Sequence, residues 1–182
     1  MNTSRLLHTL LISALYFTQT NSSYAANCDW LGGIGNWTDT NWDTCLGSFP
    51  DSNDTAALAS GTVTLDVAPT IQGLTLSGGT ITGNNNLSIT GLTSWTGGSS
   101  VMLGTGITRA DGGLQMDGSF MDIQESRTLV NGAGQTANWT AGTLRLLVAG
   151  STLQNEATAL FNITGDGRTL QGNGLFDNQG NL

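Results

Sequence analysis

Leu129-Val130-Asn131-Gly132-Ala133, Leu153-Gln154-Asn155-Glu156-Ala157 and Phe176-Asp177-Asn178-Gln179-Gly180 are three versions of one phrase. Each sets an apolar residue two places before an asparagine and a small or turn residue two places after it. Asn131, Asn155 and Asn178 follow one another at 24 and 23 residues, a period in the range of solenoids. In a parallel β-helix each coil lays its strands on those of the coil before, so like residues stack one coil apart. The spacing therefore predicts a structural stack of Asn131, Asn155 and Asn178. Its carboxamides would donate one to the next and satisfy groups that burial would otherwise leave unpaired. Longer echoes surround it. Trp95-Thr96-Gly97-Gly98 returns as Trp139-Thr140-Ala141-Gly142, and Arg127-Thr128-Leu129 as Arg168-Thr169-Leu170.

The rest of the chain has the texture of short strands. Thr62-Val63-Thr64-Leu65, Leu74-Thr75-Leu76, Thr80-Ile81-Thr82 and Leu87-Ser88-Ile89 alternate apolar and small polar residues and are closed by glycine or asparagine. Period two over such runs is a strand with one face buried. No stretch carries an apolar stripe at helical spacing over three turns. The expectation is an all-β chain: a right-handed parallel β-helix over residues 55–182, with five or six coils about 4.8 Å apart. The repeats run to Asn181-Leu182, so they read as the first part of a longer protein.

Residues 1–25 read as a signal peptide. Arg5 supplies the positive start, Leu6 to Phe17 the apolar core, and Ser23-Tyr24-Ala25 the small residues before a cut after Ala25. A secreted or surface-displayed protein is the consequence. In that compartment Cys28 and Cys45 are expected to form a disulfide, which would contribute roughly 3 kcal/mol by loop entropy. Residues 26–54 hold this pair together with Trp30, Trp37, Trp42 and Phe49, and read as a stapled aromatic cap over the first coil. The rival reading makes tryptophans a stacking face for glycan, with Trp37, Trp42, Trp95 and Trp139 as the contacts.

Lysine is absent, and five arginines face thirteen acids, for a net charge of −8. Nucleic acid and anionic membrane are poor partners for such a surface, since phosphate recognition needs clustered cations. No second hydrophobic run follows the leader, so no membrane insertion is expected of this segment.

Catalysis finds few candidates. A polysaccharide lyase on this fold needs a calcium-binding acid cluster and a base, and a hydrolase needs two facing carboxylates. Asp111, Asp117, Asp122 and Glu125 lie close in sequence but read as solvated turns. Of Arg109, Arg127, Arg145 and Arg168, only Arg145 and Arg168 are spaced to stack. Removal of His8 with the leader leaves no histidine, and no cofactor or metal motif is present. The Thr62/Thr64 and Thr80/Thr82 pairs suggest a threonine array but do not recur once per coil.

The entry run Gly35-Asn36-Trp37-Thr38-Asp39-Thr40-Asn41-Trp42-Asp43, with Pro50, Asp54 and Gly61-Thr62-Val63-Thr64-Leu65, resembles the start of the β-helical regions of bacterial haemagglutinin-like and autotransporter-type adhesins. The Trp-Thr-Gly-Gly and apolar-x-Asn alternation resembles their repeats. The resemblance implies an exported stalk or adhesin that contacts glycans or surface proteins, without catalytic residues. Polysaccharide binding or degradation on the same fold is the alternative.

Overall fold

The computed structural model describes residues 25–182; the expected leader lies outside them except for Ala25. The described residues contain strands and turns and no helix. They wind into a β-solenoid of about six turns with three parallel sheets. The first sheet stacks Asn27–Trp30, Thr55–Leu58, Gly73–Leu76, Thr93–Trp95, Leu114–Met116, Thr136–Trp139 and Leu160–Ile163. The second starts at Ile34–Asn36 and ends at Thr169–Gly172. The third runs from Thr70–Ile71 to Leu175–Asn178.

Strand alternation explains the core. In Thr62–Thr64 the valine is fully buried and both threonines face outward, and Leu87, Ile89, Leu129 and Leu153 repeat that inward placement coil after coil. Leu129, Leu153 and Phe176 stand directly in register. Stacking leaves no room at some corners for any side chain. A Cβ on Gly104, whose φ is +99°, would lie 2.1 Å from the Gly83 carbonyl oxygen of the coil before.

The turns are not of one length. Successive facing pairs in the first sheet, Thr55/Gly73, Leu74/Thr93, Thr93/Leu114, Leu114/Ala137 and Ala137/Phe161, give 18, 19, 21, 23 and 24 residues. The asparagine spacing thus reports only the later coils. Trp95 and Trp139 share one row but two coils apart, with Met116 between them. The arginine echo is not a structural repeat. Arg127 enters a strand of the third sheet, whereas Arg168 enters the second. Arg145 consequently stands over Gln171, not Arg168.

The first turn differs from the rest. Residues 27–54 supply strands to the first and second sheets, and Trp42–Asp43 folds back antiparallel on Asn27–Trp30. Cys28 and Cys45 are joined as a disulfide. Trp42 packs against Trp30 and Trp37 with ring centroids 5.1 and 4.9 Å away. Its Nε1 donates to the Trp37 carbonyl, and Trp37 Nε1 donates to Pro50. This closes the end of the apolar column.

Candidate functional site

The tryptophans are not a glycan-stacking face. Trp37 and Trp95 are fully buried, and Trp42 and Trp139 retain 6% and 4% exposure. Trp95 and Trp139 lie in the inward row of the first sheet; Trp37 and Trp42 fill the closed end. A ring needs an open face to stack on a sugar, and the inward row gives it none.

The asparagine stack forms as the spacing implies. Asn131 Nδ2 donates to Asn155 Oδ1 at 2.8 Å, and Asn155 Nδ2 to Asn178 Oδ1 at 2.7 Å. The same nitrogens reach corner carbonyls: Asn131 to Leu160 at 3.1 Å, Asn155 to Asn181 at 3.1 Å. Asn131 and Asn155 are fully buried, so these bonds satisfy side-chain amides that water does not reach. Asn131 and Asn155 are interior structure, and Asn178 is exposed.

Two arginines pair with acids of other coils. Arg109 grips Glu156 through both carboxylate oxygens at 2.7 and 2.6 Å and also holds Asp111 at 2.8 Å. Hydrogen bonding to Arg109 holds the Glu156 carboxyl below its ordinary range, and the Ala133 amide donates to it as well. Asp122 is a strand residue only 5% exposed, not a solvated turn, and Arg145 binds it in bidentate fashion at 2.6 and 2.7 Å. Arg145 also lies over the Phe120 ring at 4.6 Å. A carboxyl that donates a proton in glycoside cleavage needs a raised pKa. Glu156 is displaced the other way.

Arg127 is the feature that sequence reading missed. It is fully buried, and its guanidinium binds Thr108 Oγ1 at 2.9 and 3.1 Å and the Gly83 and Asn85 carbonyls at 3.0 and 3.3 Å. Burial pulls its pKa down to about 10. Gly106 makes this possible, since a Cβ there would meet Arg127 Nη1 at 2.8 Å. The residue staples three coils from inside. Nothing about its tripeptide echo with Arg168 signals this, because burial depends on the missing side chain one coil earlier.

Cys28, Cys45 and Asp54 lie close enough to suggest a metal cluster. The two sulfurs are bonded to each other, and Asp54 accepts the Ala26 and Asp51 amides at 2.8 and 3.0 Å. The set therefore serves to hold the first turn.

Two hollows remain. One, of about 240 Å³, is apolar and lies in the last coils between Trp139, Leu144, Leu153, Phe161, Leu170 and Phe176. The other is a groove of about 560 Å³ on the outside of the first sheet, lined by hydroxyl and carboxamide side chains with Leu92 among them. Below it the outward row continues as Gln115, Asn138 and Asn162. Asn162 Nδ2 donates to Asn138 at 3.2 Å and Gln115 to Thr140 at 3.1 Å, an uncharged polar strip along the solenoid. The Thr62/Thr64 pair does stack on Thr80/Thr82, but the next coil sets Val101 over Thr80 and ends that array. No helix among the described residues is long and apolar enough to cross a membrane. Compared with models of known families, with curated proteins and with solved structures, the chain matches none.

Proposed function

We propose that this chain is a secreted or surface-displayed structural and adhesive repeat module that works by presenting a rigid face and carries no catalysis. The observation behind this reading is the division of the surface. On the second and third sheets Arg145 pairs with Asp122 and Arg109 with Glu156 across coils, and Arg109 also holds Asp111 of its own coil. The first sheet carries an uncharged strip of hydrogen-bonding groups, Thr75, Ser94, Gln115, Asn138 and Asn162, in register over successive coils. Such a strip offers many weak, equivalent contacts to an extended partner, as solenoid surfaces do. The export reading of residues 1–25 and the resemblance to adhesin β-helices point the same way.

The test is a panel of polysaccharides and surface-coated proteins offered to the purified chain, scoring retention and released reducing or unsaturated ends together. Retention without released ends is the expected result. Turnover, abolished by Asp122→Ala in a folded protein, would overturn the reading in favour of a polysaccharide-degrading enzyme.

A further inference from the structure

We infer that the groove on the first sheet is a binding site for a neutral, hydroxyl-rich glycan chain. This rests on the adhesive reading and names its ligand class. The groove is lined by Asn27, Thr55, Gln72, Thr75, Ser94 and the half-exposed Leu92. Gly73 stands in register with Thr55, and a Cβ there would meet Thr55 Cγ2 at 3.1 Å and the Leu92 carbonyl oxygen at 3.4 Å, so the floor of the groove admits no larger residue.

Three properties select the ligand. The first is the floor. Gly73–Leu76 is paired on both sides, with Thr55–Leu58 and Thr93–Trp95, so its backbone has no free edge for an added peptide strand. Recognition must run through side-chain hydroxyls and carboxamides, which match a partner dense in hydroxyls. The second is charge. No lining residue is ionisable, and the chain carries a net charge of −8. The described arginines are engaged elsewhere: Arg109 with Glu156, Arg145 with Asp122, Arg127 inside the core, Arg168 with the Thr164 and Asp166 carbonyls. A sulfated or uronate glycan would meet a negative protein without a cation to receive it. The third is Leu92, 54% exposed beside polar neighbours. It supplies the apolar contact that the C–H face of a sugar ring takes, the role the buried tryptophans do not fill.

The experiment measures binding of neutral hexasaccharides (a β-glucan, a mannan and a galactan), heparin hexasaccharide and gelatin-coated beads to the native chain and to Leu92→Glu, Thr75→Glu and Ile107→Glu. All three substituted positions are exposed, so the fold should hold, as circular dichroism would check. Expected are binding of a neutral hexasaccharide and its weakening by about tenfold or more in Leu92→Glu and Thr75→Glu, since a buried charge in the contact is costly. Ile107→Glu, on the third sheet, should bind as the native chain does. Unchanged glycan binding in both groove variants would overturn the groove assignment and leave the adhesive reading standing. Binding of heparin or gelatin alone would overturn the ligand class and likewise spare that reading. Silence on every probe would overturn both.

Discussion

The corner between the third and first sheets is built one way in the early coils and another in the late ones. From Ile71 to Leu74 it spans two intervening residues, and from Ile89 to Thr93 and Ala110 to Leu114 it spans three. From Asn131 to Ala137 and Asn155 to Phe161 it spans five. The row of side chains just before the corner changes in step, reading Ile71, Ile89, Ala110, Asn131, Asn155, Asn178. A short corner leaves space only for a hydrocarbon plug. A long corner brings carbonyls within reach, those of Gln135, Ala159, Leu160 and Asn181, so a buried carboxamide finds acceptors there. Longer coils thus accommodate the asparagine ladder, and the aliphatic row is what short coils permit.

Exchange of the two solutions is the sharpest way to break this comparison. Asn155→Leu removes the middle rung: Asn131 Nδ2 and Asn178 Oδ1 lose their cross-coil partner, and the Ala159 and Asn181 carbonyls keep only their backbone donors. A loss of about 3 kcal/mol is expected, read as a fall in the urea midpoint. Ile89→Asn should cost about 3 kcal/mol for the opposite reason, an amide placed where the corner offers it no partner. If Ile89→Asn were tolerated while Asn155→Leu was not, corner length would not be what selects the side chain.

Arg127 tests the same contrast on another corner, because it is a polar group buried among carbonyls with no carboxylate beside it. Arg127→Ala should cost about 3 kcal/mol by stranding the Gly83 and Asn85 carbonyls and opening a cavity. Arg127→Met, which keeps the volume, should cost roughly half as much. The titration has a definite sign. The folded chain releases this proton near 10, well below the ordinary arginine range. Between those limits the unfolded chain holds more protons, so stability should rise with pH across that window. Lysine is absent and both tyrosines, Tyr16 and Tyr24, precede the described residues, so few other groups titrate there. Urea midpoints at pH 9 and pH 11 should therefore diverge in the native chain and converge in Arg127→Met.

The contrast also explains which features were legible in the sequence. Period-two runs and glycine stops carried the strands, and the apolar-x-Asn phrase carried the ladder and the parallel stacking. The disulfide between Cys28 and Cys45 followed from export context and is present. Coil length was misjudged because the conspicuous phrase occurs only where corners are long. Ile71 and Ile89 hold the same place without looking like repeats. The tryptophans were ambiguous because burial is a property of a row, and Trp95 is hidden by its position between Leu76 and Met116. The polar strip on the first sheet gave no local signal. Thr75, Ser94, Gln115, Asn138 and Asn162 come together only once turns of unequal length are set in register.

The smallest expected effect lies at the junction of the two solutions. Ala110 stacks between Ile89 and Asn131, and the Asn131 Oδ1 is buried with no hydrogen-bond partner. The ladder thus begins on an acceptor that receives nothing, because the coil above still carries the aliphatic row. A hydroxyl at position 110 adds one heavy atom and one donor facing that oxygen. Ala110→Ser should then raise stability by about 0.5–1 kcal/mol, the net worth of a hydrogen bond to a previously unpaired group. Ala110→Val should lower it, because a branched side chain fills the space without supplying the proton. A urea midpoint unmoved by serine would mean that the corner relaxes around the unpaired oxygen at little cost. The switch from isoleucine to asparagine would then be governed by corner volume alone, with hydrogen-bond demand a consequence and not a cause.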